Sequence, residues 1–247
     1  LTVYPRVDMV SPMPDAEGQD PHSGARRASA LLGAGEEFYA VRQYEVGDDT
    51  RRVHWPSTAR LDELMVRQDE MPWQTRATIL LDVRARVHTR DSLEIAVSAA
   101  ASIQDASRRR RSLIRMVTTD GTDSGFAAGN MHADAILEHL ATVDASRRDR
   151  FAGATATLRR AGNGGSLAVI TTDRAPAQDL ETVARLRSRY GTVVLVLVEQ
   201  SAYEPVPVRR APAGLPAVTS LVRVTADASF AHAWEQAVPR PAGRARR

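Results

Sequence analysis

From residue 77 onward, apolar runs alternate regularly with helical patterns, and this alternation limits the possible folds. The apolar runs are ATILLDV, SLIRMVTT, SLAVITT, TVVLVLV and SLVRV. Between and after them, apolar residues recur with a helical period at residues 92–106, 131–142, 147–161, 177–190 and 229–237. Strands buried on both faces and separated by helices are typical of a mainly parallel sheet covered by helices. The sequence therefore predicts a doubly wound α/β domain over residues 77–240.

The first part of the chain, residues 1–76, has a different character and predicts a small β-rich segment. Strands are expected at LTVYPRV (residues 1–7), EEFYAVRQY and LMVRQ, with a helix at residues 50–59 that Pro56 weakens. Residues 11–35 are rich in Pro, Gly, Ala and Ser, which predicts a long flexible loop. The last seven residues, 241–247, form a basic tail.

Composition excludes several kinds of site. The chain has no cysteine, so disulfides, thiolate catalysis and zinc–cysteine sites are excluded. All 33 basic residues are arginine, but 30 acidic residues balance them to a net charge of +3. A nucleic-acid-binding chain concentrates its basic residues on one face, and this balance does not predict one. No segment is apolar enough to span a bilayer, and the chain begins at Leu1, so we expect it to be a piece of a longer protein.

Three acidic residues follow apolar strands directly: Asp82, Asp120 and Asp173. In parallel sheets, ligands bind outside the carboxyl ends of the strands, so these residues are the first candidates for a site. Asp82 and Asp173 together offer oxygen ligands to a hard cation. Arg84 and Arg86 lie next to Asp82, however, and would repel that cation. The pattern therefore favours Asp82 paired with these arginines.

A second candidate is the charged run at residues 44–68, YEVGDDTRRVHWPSTARLDELMVRQ. His54, Ser57 and Asp48 are close together in sequence, which leaves a hydrolytic or metal-dependent enzyme as an alternative. A catalytic triad is recognised by geometry, and the chain has no nucleophile elbow of the G-x-S-x-G kind. We therefore expect no catalytic residue here, and the enzyme stays the alternative.

The same run resembles the signature of a bacterial family, the domain of unknown function 58. That signature reads R-x-Y-x-x-G-D-x-x-R-x-I-x-W-x-x-[ST]-A-R and is followed by a short strand. The matching residues here are Arg42, Tyr44, Gly47, Asp48, Arg51, Trp55, Thr58, Ala59 and Arg60, with His54 inside the run. Val53 takes the place of the usual isoleucine, and Pro56 that of a residue that is commonly basic.

The resemblance implies further properties. Members of the family have two transmembrane helices near the start, a β-rich segment, the signature and a domain similar to von Willebrand factor A. Many are encoded beside AAA+ ATPases of the MoxR type. The resemblance thus implies a membrane-anchored protein with this part on the cytoplasmic side of the cell membrane, and a MoxR-type ATPase as partner.

Domains similar to von Willebrand factor A bind a divalent cation through a D-x-S-x-S turn, a threonine and a later aspartate. Asp82 matches the first aspartate and Asp173 the last, but Arg84 and Arg86 occupy both serine positions. We therefore expect a metal-free version of this site, with no cofactor.

The signature residues have two interpretations. In a helix Arg51 and Trp55 are four residues apart, so a charge network and an aromatic anchor would lie on neighbouring faces. We expect this network to fasten the β-rich segment to the sheet domain, with Trp55 packed at the junction. The other interpretation is a partner-binding surface, for which tryptophan and arginine are suited. The leading hypothesis for function is a non-enzymatic interaction module that acts with the ATPase in envelope assembly or protein maturation.

Overall fold

The structure, a computed structural model, describes residues 3–14, 40–44, 50, 53, 55–68, 75–161, 164–200, 217–225 and 227–239. The chain divides into two units. The larger unit consists of Leu1–Asp20 and Thr75–Arg247, and the smaller unit is Pro21–Gln74. The predicted basic tail and most of the predicted flexible loop lie outside the described residues. None of the described helices is both long and apolar enough to cross a bilayer.

Five parallel strands form the sheet of the larger unit: β3 Arg76–Leu81, β4 Leu113–Thr118, β5 Ser166–Thr172, β6 Thr192–Val198 and β7 Ser220–Val224. Their order across the sheet is β4-β3-β5-β6-β7. The helices are α2 Arg90–Arg109, α3 Asn130–Leu140, α4 Phe151–Ala161, α5 Ala177–Arg185 and α6 Phe230–Ala237. The predicted mainly parallel α/β sheet flanked by helices is confirmed, with each strand within about two residues of its predicted bounds.

Alternate strand residues face the two layers of helices. In β3, Ile79 and Leu81 belong to the core under α2, α3 and α6, whereas Leu80 belongs to the core under α4 and α5. Residues of β6 alternate in the same way, and every residue of that strand is buried. Because neighbouring side chains of a strand point to opposite faces, a continuous apolar run supplies both cores at once.

The longest helix, α2, owes its start to a capping box. The hydroxyl of Thr89 accepts a hydrogen bond from the backbone of Ser92, and the hydroxyl of Ser92 accepts one from the backbone of Thr89. These two bonds satisfy amide groups that have no partner inside the helix. The cap fixes the direction in which the chain leaves the loop after β3, and that loop carries the candidate site.

Residues 3–14 form no strand, so the predicted strand over residues 1–7 is wrong for the part that the structure describes. The segment, here called the N-terminal segment, is bound by side chains of α2 and α6 instead of by a neighbouring strand. Trp234 Nε1 donates to the Ser11 carbonyl at 2.9 Å, and Arg109 Nη2 donates to the Val10 carbonyl at 3.0 Å. Val10 is buried in the core of the larger unit. The first predicted domain, residues 1–76, thus included a segment that belongs to the sheet unit.

The smaller unit contains an antiparallel pair of strands, β1 Ala40–Gln43 and β2 Met65–Gln68, and the helix α1 Trp55–Leu61. The predicted helix over residues 50–59 is displaced toward the C-terminus. Proline lacks the amide hydrogen that a helix interior needs, and in the first turn that hydrogen has no helical partner. Pro56 therefore lies near the start of α1 and not in its middle.

Candidate functional site

Asp82 is the centre of a buried polar cluster at the carboxyl edge of the sheet. The residue follows β3 and is fully buried. One carboxylate oxygen accepts a hydrogen bond from Thr119 Oγ1 at 3.1 Å, and the other accepts one from Thr171 Oγ1 at 2.9 Å. Thr119 directly follows β4, and Thr171 lies in β5; these are the two strands on either side of β3. A single carboxylate thus links three neighbouring strand ends.

The guanidinium group of Arg84 completes this cluster. Its Nε and Nη2 donate to the two oxygens of Asp82 at 2.9 and 2.7 Å, and its Nη1 donates to Asp179 Oδ2 at 2.7 Å and to Asp149 Oδ1 at 3.3 Å. The ring of Phe151 covers the guanidinium at 4.5 Å from its centroid. Only 1% of Arg84 is exposed. We call Asp82, Arg84, Asp149 and Asp179 the Arg84 network.

The pKa values agree with two permanently charged partners. Burial alone would raise the pKa of Asp82, but the hydrogen bonds and the charge of Arg84 outweigh burial and hold that pKa below its ordinary value. Burial would lower the pKa of Arg84, but Asp82 and Asp179 raise it above its ordinary value. Bidentate pairs of this kind are among the strongest hydrogen-bonded contacts in proteins. The pairing of Asp82 with Arg84 that the sequence favoured is confirmed.

Arg86 lies two residues further on and contacts the outer part of the same network. Its Nη2 is 2.6 Å from Asp149 Oδ2 and 3.7 Å from Asp179 Oδ2. About half of its side chain, 52%, is exposed, compared with 1% for Arg84. Arg86 therefore pairs with Asp149 and not with Asp82.

These residues do not fit a divalent cation of the kind that domains similar to von Willebrand factor A bind. Arg84 lies between Asp82 on one side and Asp149 and Asp179 on the other, so the position that three carboxylates share is filled by a side chain of the protein. Within the described ranges, no three His, Asp or Glu side chains are grouped closely enough to hold a metal ion.

Asp173, the predicted partner of Asp82, is not a member of the Arg84 network. It follows β5, and its carboxylate accepts a hydrogen bond from the backbone amide of Gln200 at 3.3 Å. Burial raises the pKa of Asp173. Asp120, the third acidic residue at a strand end, accepts hydrogen bonds from Thr118 Oγ1 and the amide of Thr122 in its own turn.

Sequence reasoning missed Asp149 and Asp179, which take the place predicted for Asp173. Each lies at the start of a helix: Asp179 is in the first turn of α5, and Asp149 Oδ1 accepts a hydrogen bond from the amide of Phe151, where α4 begins. Acidic residues at helix starts are expected for electrostatic reasons alone. That ordinary role gave no signal that both residues would also bind Arg84.

The signature run lies in the smaller unit, where two of its residues hold the backbone together. The amide of Tyr44 donates to the carbonyl of Leu64 at 2.8 Å, and Thr58 Oγ1 accepts from the amide of Met65 at 3.0 Å. Val53, which takes the place of isoleucine in the signature, is buried and forms a bridge with Val66. These contacts fix the turn between α1 and β2.

Trp55, which was predicted to pack at the junction with the sheet domain, is open to solvent within its own unit, and the junction role stays a prediction. It is the first residue of α1, and 68% of its surface is exposed, so the contacts of its own unit leave it open to solvent. Arg60, in the last turn of the same helix, is also exposed. Arg42 lies in β1. Four other predicted residues lie outside the described residues: Gly47, Asp48, Arg51 and His54. The hydrolytic alternative, which uses Asp48 and His54, stays a prediction.

A comparison with family models matches residues 40–209 to the family described as protein of unknown function DUF58. This chain belongs to that family. The match covers the signature run and most of the sheet of the larger unit, including the whole Arg84 network. A comparison with curated proteins gave no match.

Proposed function

We propose that this DUF58 chain is a non-enzymatic protein-interaction module of a membrane-anchored protein. The observation that carries the proposal is the exposure of Trp55, 68%, within the family's own signature. Tryptophan is one of the residues that supply most of the binding energy when a partner buries them. Leu64, in the same unit, is 38% exposed. A tryptophan that its own unit leaves open is available to a partner protein.

The partner that we propose is an AAA+ ATPase of the MoxR type, on the cytoplasmic side of the cell membrane, in envelope assembly or protein maturation. The support is the resemblance carried by the signature. We also propose that the larger unit is of the von Willebrand factor A type. Five parallel strands with helices on both faces, and an aspartate after the first of them, support this assignment.

The Arg84 network supports an interaction role over catalysis. Ligands of such sheets bind at the carboxyl edge, and there Asp82 already has a bidentate partner and two hydroxyl donors. A carboxylate that is ionised and fully bonded is poorly suited to accept a proton or to attack a substrate.

The distribution of arginines supports a protein partner over nucleic acid. Exposed arginines of the larger unit lie at both ends of the sheet: Arg147, Arg148 and Arg150 at the carboxyl edge, and Arg111, Arg159, Arg160 and Arg189 at the amino edge. A nucleic-acid-binding surface needs its positive charge on one face. The described part of the larger unit does not meet that condition.

The test is binding between this chain and the MoxR-type ATPase encoded nearest to its gene, in the presence of ATP or ADP. We expect nucleotide-dependent binding that Trp55→Ala weakens by about 30-fold, the effect of losing about 2 kcal/mol at a hot spot. Tyr4→Ala is the matched control, because Tyr4 is a similarly exposed aromatic residue, at 56%, in the larger unit.

Two results would count against the proposal. Equal losses for Trp55→Ala and Tyr4→Ala would remove Trp55 from the interface. Absence of binding in both nucleotide states would overturn the ATPase as partner and leave a structural, membrane-linked role in first place.

A further inference from the structure

Residues 145–150, ASRRDR, form an irregular segment whose backbone is tied to the carboxyl edge of the sheet. We call it the arginine segment. The amide of Ser146 donates to the Val83 carbonyl at 2.6 Å, and the amide of Ala85 donates to the Ser146 carbonyl at 2.8 Å. Near its other end, the amide of Arg150 donates to the Thr119 carbonyl at 3.2 Å. Side chains on this segment therefore project from a backbone that is already ordered before any partner binds.

Three arginines of this segment differ from the ion-paired arginines of the larger unit. Arg147, Arg148 and Arg150 are exposed and form no ion pair within the part of the chain that the structure describes. Other arginines of the larger unit pair with the chain's own carboxylates: Arg6, Arg84, Arg86, Arg108, Arg109, Arg115, Arg185 and Arg223. The guanidinium groups of the segment are thus available to an external acceptor.

The acidic residue within the segment does not compete for them. Asp149 Oδ1 accepts from Arg84 Nη1 at 3.3 Å, and its Oδ2 is 2.6 Å from Arg86 Nη2. Both oxygens are therefore engaged from the side of the loop after β3. The Arg84 network in this way holds the carboxylate that lies inside the segment away from the neighbouring arginines.

The chemistry of the segment favours carboxylates as ligands. Guanidinium groups bind carboxylates and phosphates through paired N–H donors. A nucleic-acid strand needs a continuous track of positive charge, whereas Asp144 and Asp149 interrupt the track here, and both are exposed. A protein segment with spaced Asp or Glu residues matches such a pattern better than a polyphosphate.

We propose that the arginine segment is the docking surface for an acidic segment of a partner protein. This rests on the interaction role proposed above and adds the place and the chemistry of the contact. Because the backbone is held in advance, little conformational entropy is lost on binding, which favours affinity.

The experiment uses the whole chain and two triple variants with the same change in net charge. The test variant is Arg147→Glu, Arg148→Glu, Arg150→Glu. The control is Arg159→Glu, Arg160→Glu, Arg189→Glu, in which three exposed arginines at the amino edge are reversed. Melting curves check that both variants fold, and the corresponding Arg→Gln triples repeat the comparison if charge reversal prevents folding.

The probes are a fluorescent peptide that repeats Glu-Ser-Gly, its Gln-Ser-Gly counterpart, and the MoxR-type ATPase. We expect the Glu peptide to bind the wild type, the Gln peptide to bind much more weakly, and the test variant to lose at least about tenfold in affinity. The control variant should stay within about twofold. Affinity for the Glu peptide should fall as salt rises, because exposed charges are screened.

The outcomes separate this inference from the choice of partner. If the ATPase fails to bind but the Glu peptide behaves as expected, the docking surface stands and the ATPase assignment falls. If the ATPase binds and both triple variants weaken binding equally, the interaction role stands and the arginine segment is ruled out as its contact. Tighter binding of single-stranded DNA or phosphatidylserine vesicles than of the Glu peptide, lost in the test variant, would overturn the protein partner in favour of a polyanion.

Discussion

Arg84 and Arg148 carry the same guanidinium group at the same edge of the sheet, but only Arg84 is enclosed by carboxylates. Arg84 is 1% exposed and touches Asp82, Asp149 and Asp179. Arg148 is exposed and has no ion pair among the described residues. Burial therefore separates two uses of an arginine: an enclosed charge stabilises one arrangement of loops, and an exposed charge on a fixed backbone is accessible from solvent.

The largest effect expected from this comparison is the loss of Arg84. Arg84→Met leaves Asp82 buried without its counterion, which lowers the free energy of unfolding by about 3–5 kcal/mol. Arg148→Met should change it by less than about 0.5 kcal/mol. Urea unfolding of both variants measures the contrast.

A double variant distinguishes the unpaired charge from lost packing. Asp82→Asn combined with Arg84→Met removes the buried charge, so the double variant should be more stable than Arg84→Met alone. Equal stability of Arg84→Met and Arg148→Met would contradict this prediction, because the network would then contribute no more than a surface arginine.

A smaller effect is expected from pH, through a buried neighbour of the network. His88 is 7% exposed, and its Nε2 has no hydrogen-bond partner in the described structure. Burial lowers the pKa of His88 below its ordinary value of 6.5. The unfolded chain therefore takes up a proton at a higher pH than the folded chain does. The stability due to neutral His88 is fully present above about pH 6.5 and is lost as the pH falls through the folded pKa.

The measurement is the unfolding free energy between pH 7 and pH 5, for the wild type and for His88→Phe. The wild type should lose stability toward pH 5, at no more than about 1.4 kcal/mol per pH unit for one proton. His88→Phe should show a flatter curve. Asp82 also has a lowered pKa, but the stability that depends on its charge is lost only below pH 3.8, the ordinary pKa of that group. The pH range in which His88 acts therefore lies above the range in which Asp82 acts. Identical slopes would exclude His88 as the source.

The smallest effect is expected at Trp55, which extends the comparison to tryptophan. Because Trp55 is 68% exposed, Trp55→Ala should change the unfolding free energy by less than about 0.5 kcal/mol. Trp234 is fully buried, and Trp234→Ala should lower it by about 3–5 kcal/mol. Thermal melting compares the two. A large loss for Trp55→Ala would restore the packing role that the sequence suggested.

The sheet could be predicted from the sequence because its strands are buried on both faces. In runs such as TVVLVLV every position after Thr192 is apolar, and a short continuous apolar run is typical of a strand that is buried on both faces. The strand predicted at LTVYPRV failed for a related reason. Apolar residues there, such as Val10 and Met13 just beyond the run, enter the core, but the backbone is bonded by side chains of distant helices, which local sequence does not reveal.

The site was only half predictable. Asp82 and Arg84 are two residues apart, so their pairing follows from sequence neighbourhood. Asp149 and Asp179 reach the same guanidinium from the starts of two other helices, 65 and 95 residues away along the chain. Their convergence depends on strand order, which the sequence did not determine. The sequence also did not determine where α1 begins, and the exposure of Trp55 depends on that start.

The N-terminal segment has a practical consequence for recombinant production. A fragment cut to the family match, residues 40–209, would lack that segment together with β7 and α6. Removing β7 turns β6, a strand that is buried along its whole length, into an open sheet edge, and such edges pair with other chains and aggregate. Soluble expression of the larger unit should therefore require residues 3–14 and 217–239 as well as the family match.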